Sequence, residues 1–191
     1  RRAAVYRLRY ADHGFVDPQL IFREKDTMSG SGVTAGRLQF LRDKTLLIGT
    51  NDDHYHRHFA QRLDSYIGKI VRINRDGSIP ADNPFLNNPK ALPEIWSTGH
   101  RVTHGLYRAP DSDLVVQVEV GPQGGDELNF LKAGGNFGWP KVSWGFDYSG
   151  LTVGPRQFGG GTEEPIMVWT PAESPSGVTF NAGNKYPFWT N

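Results

Sequence analysis

The chain has 191 residues, 21 Lys and Arg against 20 Asp and Glu, and no cysteine. That length fits one domain or two, and a net charge of +1 argues against a surface built to grip nucleic acid or anionic lipid. The missing thiols exclude disulfides, thiolate nucleophiles and cysteine-ligated zinc. With 23 glycines, 13 prolines and 12% aromatics, the composition is that of a turn-rich globular protein rather than of disorder. No apolar run approaches the ~18 residues of a membrane span. The sequence starts Arg1-Arg2 without Met, so a chain that begins mid-protein is expected.

In chain order, short strand-like runs appear at Val5 to Tyr10, Leu20 to Phe22, Leu46 to Ile48, Ile67 to Ile73, Leu114 to Val116 and Ile166 to Trp169. Several alternate at period two, and Gly, Pro, Asn or Asp bound them all. Asn74-Arg75-Asp76-Gly77 reads as a hairpin turn, with Asp12-His13-Gly14 and Asn181-Ala182-Gly183 as further turns. The single helical candidate is Ala60 to Tyr66. The pattern predicts an all-β chain.

Three segments open on a glycine followed by strand-like apolar residues and a turn, the first two leading into a strand and the third into an aromatic run. They start at Gly36, Gly105 and Gly177, roughly 70 residues apart. Such a unit fits a β-propeller blade with long connections, and a single irregular β-sandwich is the plainer alternative. Residues 1–191 are expected to form one partial propeller domain with blade starts near 36, 105 and 177. Fewer than three blades fit in this length, whereas closed propellers need about 4–8. Further chain or several copies would complete the ring, since an open one exposes strand edges.

Three clusters could carry chemistry. In Asn51-Asp52-Asp53-His54-Tyr55-His56-Arg57-His58, three imidazoles two apart would share one face of a strand and could ligate zinc or copper. With no fixed fourth ligand, a polar surface loop is the preferred reading. The glycines of Gly121-Pro122-Gln123-Gly124-Gly125-Asp126-Glu127 let carbonyls converge, and its acids add hard oxygens, as calcium requires; a tight turn with solvated acids fits equally. Arg101, after the strand-like Glu94-Ile95-Trp96, could fork onto a carboxylate-bearing ligand or hold a neighbouring acid.

Several segments together resemble one family: Gly68 to Asn74, Asp76 to Phe85, Glu94 to Ser97, Gly99-His100-Arg101, Gly121-Pro122, Gly124 to Asn129, Gly134 to Pro140 and Asp147 to Gly150. In order and over nearly the whole chain, they look like the soluble pyrroloquinoline-quinone-dependent aldose sugar dehydrogenases of the glucose/sorbosone dehydrogenase family. The resemblance implies a six-bladed propeller of which this chain holds the middle. It implies an aldose substrate, an electron acceptor, pyrroloquinoline quinone and calcium as cofactors, and a periplasmic or secreted location. No nucleic acid and no membrane span are expected, and the ring is completed by missing blades or by a homo-oligomer.

Residue by residue, the resemblance assigns the carbonyls of Gly121 and Pro122 to the quinone-bound calcium. It assigns Glu127 and the carbonyl of Phe137 to a second calcium, and Arg101 and Tyr148 to the quinone. The departures lie at the reactive centre. The family's catalytic histidine, four residues before Arg37, is Val33 here, which cannot accept a proton. Val102 and Thr103 stand where the family has cofactor-facing amides, and Val120 replaces a polar residue. His104 is the substitute base to consider, with His54 and His56 behind it. The expected function is therefore a fragment or divergent member of a quinone-dependent sugar dehydrogenase, weak or inactive as it stands. The alternative is a non-catalytic calcium-binding propeller module for carbohydrate or protein.

Overall fold

The computed structural model describes residues 2–26, 36–155, 160–181, 183, 185, 186 and 188. Val33 lies outside these residues, as does Ala182 of the expected Asn181-Ala182-Gly183 turn. The chain opens with β1 (Ala4–Ala11) and β2 (Gly14–Arg23), an antiparallel hairpin in which Ala11 faces Gly14. Asp12 and His13 both take positive φ, 50° and 66°, matching the twist of the flanking strands.

Two four-stranded antiparallel sheets follow. The first runs in spatial order through β3 (Arg37–Phe40), β4 (Leu46–Gly49), β5 (Lys69–Ile73) and β6 (Ile95–Thr98). The second runs through β7 (Thr103–Arg108), β8 (Val115–Glu119), β9 (Asp126–Phe130) and β10 (Met167–Trp169). Each is a meander, and the first strands of the two, β3 and β7, lie against each other. The architecture is all-β, as the sequence predicts.

Strand periodicity decides where the core sits. Leu47 and Ile70 of the first sheet meet Leu106 and Val115 of the second, with Trp96, Leu131 and Phe137 closing the layer. On the opposite face of the first sheet, Leu46, Ile48, Val71 and Ile73 pack with Tyr66 and with Phe22 of the hairpin. Both faces of β4 are therefore covered, which is why it reads as an unbroken apolar run.

The structure differs from the sequence expectation in four places. The helical turn is a 3-10 helix at His54–Gln61, ahead of the expected Ala60 to Tyr66. Asp53 starts it by accepting from the Tyr55 amide at 3.2 Å. Its end is held by the buried Lys69 ammonium, which donates to the carbonyls of Phe59 (2.8 Å), Ala60 (2.9 Å) and Ile67 (2.6 Å). The Asn74 to Gly77 turn forms, with Gly77 at φ 90°, but it leads into a long connection to β6 and not straight into the next strand. The acid-rich stretch from Asp126 is the strand β9. Gly177 to Phe180 forms no strand. It runs beside β7 so closely that a Cβ on Gly105 would lie 2.9 Å from the Val178 nitrogen.

Candidate functional site

The connections β4–β5, β6–β7 and β8–β9 leave the sheets at one common end, where the Asp52 amide donates to the Arg101 carbonyl at 2.7 Å. The segment after β9 covers this end. Phe137 and Trp139 amides donate to the carbonyls of Thr98 and Gly99, both at 2.9 Å. That close approach requires glycine at position 99, which has φ 75°: a Cβ there would sit 2.4 Å from Asn136 Oδ1 and 2.6 Å from the Gly138 nitrogen. Gln61, at the end of the 3-10 helix, locks the segment through a reciprocal amide pair with Asn136, 2.9 Å each way, and a bond to the Trp139 carbonyl at 2.8 Å.

Arg101 is the hub. Its Nη1 donates to the carbonyls of Val120 (2.7 Å) and Gly121 (2.6 Å), and its Nη2 to the Tyr148 hydroxyl (3.3 Å). Its Cζ lies 5.4 Å above the Trp139 ring, and its buried Nε has no hydrogen-bond partner. The Trp139 indole N–H donates to Asp52 Oδ2 at 2.8 Å. Burial raises the Asp52 carboxyl to about 6 and the Glu119 charge adds to it; the Arg101 charge, the Trp139 hydrogen bond and His54 oppose the rise.

The Gly121 turn is closed tightly. The Gly121 amide donates to Asp126 Oδ1 at 2.8 Å, and a Cβ on Gly121 would meet the Gly124 and Gly125 carbonyl oxygens at 2.3 and 2.5 Å. Gln123 and Phe146 exchange two backbone bonds of 3.0 Å, rooting the Tyr148 loop on this turn. Asp147 pins the other side of that loop by an ion pair to Arg57 of the 3-10 helix. Its carboxyl is held down to about 2, chiefly by the Ser149 amide and then by Arg57.

A second cluster lies buried between the sheets, above the apolar layer. Glu119 and Glu127 face each other across β8 and β9. Burial and the Glu119 charge hold the Glu127 carboxyl well above the usual carboxylate range. Asn129 Nδ2 donates to Glu127 Oε2 at 3.3 Å, while Asn129 Oδ1 is buried without a partner. His100 connects this cluster to Phe137: its ring stacks on Phe137 at 4.7 Å and its Nδ1 lies 3.3 Å from Glu119 Oε2.

The structure thus brings Arg101, Gly121 and Tyr148 into one group and links Glu127 to Phe137 through His100 and Glu119. His104 is the half-buried, bulged residue of β7, and the contacts that build the Arg101 group run through Asp52, Trp139 and Tyr148 instead. The three histidines of the 3-10 helix do not converge: His56 pairs with Asp53 at 2.9 Å, His58 packs edge-on against Phe59, and His54 is exposed. No group of three or more His, Asp or Glu side chains among the described residues is arranged to hold a metal. Sequence reasoning missed Glu119, read Asp52 as part of a surface loop, and gave Trp139 no role beyond the Gly134 to Pro140 segment. A tryptophan in a glycine-rich loop needs a partner for its indole N–H, which was the available signal.

The Glucose / Sorbosone dehydrogenase family model matches residues 1–191. The chain belongs to that family. It is 38% identical over 176 residues to the aldose sugar dehydrogenase YliI of Escherichia coli (strain K12), an alignment covering 91% of this chain and 47% of that protein. The crystal structure of the soluble aldose sugar dehydrogenase from Escherichia coli in the apo form superposes with a TM-score of 0.91 at 36% identity, covering 97% of this chain and 55% of that one. The aldose sugar dehydrogenase of Streptomyces coelicolor, solved in its PQQ-bound form, gives 0.71 at 29% identity, covering 91% and 48%. The chain therefore spans about half the length of the relatives it matches, as a partial propeller of the sugar-dehydrogenase type. Among the described residues no helix is long and apolar enough to cross a membrane.

Proposed function

We propose that this chain forms the quinone- and calcium-facing part of an aldose sugar dehydrogenase whose reactive centre has been altered. One observation carries the reading: a single guanidinium, Arg101, reaches both the Gly121 carbonyl and the Tyr148 hydroxyl, three residues that the resemblance assigns separately. The Arg101 Nη2, held only by a 3.3 Å bond to the exposed Tyr148 hydroxyl, is the donor open to an anionic ligand. In this reading Arg101 and Tyr148 hold pyrroloquinoline quinone, and the carbonyls of Gly121 and Pro122 face its calcium. Glu127 and the Phe137 carbonyl serve a second calcium, to which the orphaned Asn129 Oδ1 and the proximity of Glu119 are suited.

The chemistry the bound group would supply is hydride acceptance at a quinone carbonyl, with calcium as Lewis acid. The chain's own residues bind and orient. Trp139 supports the Arg101 guanidinium from below, and the Gln123–Phe146 bridge fixes the Tyr148 loop over the Gly121 turn. An aldose substrate and the quinone are supported by the names of the similar Escherichia coli and Streptomyces proteins. A separate electron acceptor and a periplasmic or secreted location follow by family. Blade starts near 36, 105 and 177 belong to the same proposal, with the rest of the ring supplied by further chain or further copies.

Turnover by this chain is proposed to be weak. Valine at position 33 accepts no proton, and loss of a positioned base costs about 10²–10⁴-fold in rate. The deciding experiment adds pyrroloquinoline quinone and calcium to the chain and to Val33→His, then measures quinone binding and aldose-dependent dye reduction. Bound quinone with slow turnover, accelerated by Val33→His, is the expected result. Absence of quinone binding with and without calcium would overturn the dehydrogenase reading and leave the calcium-binding module. Fast turnover that disappears in His104→Ala would put the proton on His104.

A further inference from the structure

The Gly121 carbonyl, read above as a calcium ligand, already has a cation on it. Arg101 Nη1 sits 2.6 Å from that oxygen and 2.7 Å from the Val120 oxygen, one nitrogen bridging two successive carbonyls. Both distances lie at the short end for a charged donor on a neutral acceptor. A calcium ion takes carbonyl oxygens at about 2.3–2.6 Å, so an ion there and Nη1 would crowd one oxygen with like charges. The oxygen has two lone pairs, but the repulsion between the two cations strongly disfavours holding both.

We propose that the Arg101 guanidinium is a built-in stand-in for calcium at the Gly121 carbonyl, so that the ion enters only as the arginine leaves. This rests on the reading of Gly121 and Pro122 as calcium-facing carbonyls. The surroundings are shaped for such an exchange. Asp52 and the Glu119 carboxylate, whose Oε2 lies 3.4 Å from the Arg101 amide nitrogen, make a negative environment that a positive group must balance in either state. Little besides the two carbonyls holds Arg101 in place, since Nε makes no hydrogen bond and Nη2 makes only a long one, 3.3 Å, to the exposed Tyr148. A ligand bearing carboxylates would draw the planar fork off the carbonyls and onto itself. Trp139 gives the movement a fixed floor, because its indole is held by Asp52 and its carbonyl by Gln61.

Calcium and a carboxylate-bearing quinone then help each other. Calcium alone must displace the arginine, whereas the quinone recruits it, and the coupling is reciprocal by linkage. The arginine would keep the carbonyls satisfied while the site is unloaded and disfavour calcium without the quinone.

The test is calcium binding by titration calorimetry, without quinone, in chains that carry Glu127→Gln to silence the second proposed calcium site, with position 101 wild type, Arg101→Gln or Arg101→Met. The methionine variant keeps an apolar stem on Trp139 and serves if the glutamine variant does not fold. Both variants are expected to bind calcium roughly 10-fold more tightly than the wild type, within the usual range of coupling between sites. Added pyrroloquinoline quinone should tighten calcium binding in the wild type by more than in either variant. Equal calcium affinity in wild type and variants would overturn the stand-in while leaving the Gly121 site intact. No calcium binding by any of the three would overturn both the stand-in and the reading beneath it.

Discussion

Trp139 donates its indole N–H to Asp52 Oδ2 at 2.8 Å, joining residues 87 apart in sequence at the hinge of the two sheets. The bond does two things at once. It satisfies the polar atom of a buried aromatic, and it fixes the ring over which Arg101 lies. Asp52 is itself buried, so its charge is expensive, and its proton is retained to about pH 6.

That retention sets a pH dependence. The Asp52 carboxyl is raised from 3.8 to about 6 on folding, so its stabilising contribution is complete below pH 3.8 and is lost as the pH rises through about 6. Asp52→Asn keeps an acceptor for Trp139 and removes the buried charge. Urea midpoints should rise for Asp52→Asn above pH 6 by an equivalent of on the order of 2–3 kcal/mol, and hardly change at pH 4. An unchanged midpoint at pH 7.5 would show that Asp52 is not stabilised as the neutral acid.

Asp52 also shows where the sequence stops being legible. β4 and β5 announce themselves as short apolar runs because both of their faces are covered. Asn51, Asp52 and Asp53 read as surface loop, yet all three are buried. Their partners are the Thr103 amide, the Trp139 indole and the Tyr55 amide, and two of these lie more than fifty residues away. β9 is hidden for the same reason: Glu127 and Asn129 occupy core-facing positions where apolar residues are expected, with Asn129 Nδ2 donating to Glu127 and to Gln117. The resemblance pointed to Arg101, Gly121 and Tyr148 one by one. It did not show that the arginine lies on the carbonyl.

Lys69 tests the frame under the site. Its ammonium has three donors and meets three carbonyls, with no carboxylate among the described residues in contact. Burial pulls it down to about 7. Folding therefore favours the neutral amine, and this group's contribution to stability should rise between pH 7 and 10.5. Lys69→Met strips those carbonyls of a donor and should destabilise by about 2 kcal/mol at pH 7. It should also loosen the end of the 3-10 helix and with it the Gln61 clamp on Asn136, which hydrogen exchange at the Gly138 amide would read. Normal protection there would separate Lys69 from the site.

Glu127 tests the buried acid pair. Its carboxyl is raised by burial and by Glu119, so ionising it lowers stability as the pH climbs. Without calcium, Glu127→Gln should melt higher than the wild type at pH 8. With millimolar calcium the order should reverse, because the wild type gains from the ion at both proposed sites and the variant at Gly121 alone. Thermal melts with and without the metal check both halves. A variant that gains from calcium as much as the wild type would remove Glu127 from the ligand set.

Gly121 separates turn geometry from charge. A methyl at this position would sit 2.3 Å from the Gly124 oxygen and 2.5 Å from the Gly125 oxygen, distances at which backbone must shift. The shift has few outlets, because the Gly121 amide is tied to Asp126 and Gly125 stands at φ 72° against the Gly145 nitrogen. Gly121→Ala should therefore open the turn and displace the carbonyl that Arg101 holds, at a cost of about 1–3 kcal/mol. Gly150→Ala supplies the contrast: its Cβ would meet nothing within 4 Å, although its φ of 83° imposes a backbone strain that Gly121 is spared. Denaturation midpoints and calcium titrations on the two variants should diverge. Gly150→Ala loses stability only modestly and keeps calcium affinity, whereas Gly121→Ala loses both. Both are titrated in a Glu127→Gln background, so that calcium binding that survives in Gly121→Ala would mean that the ion does not use this carbonyl.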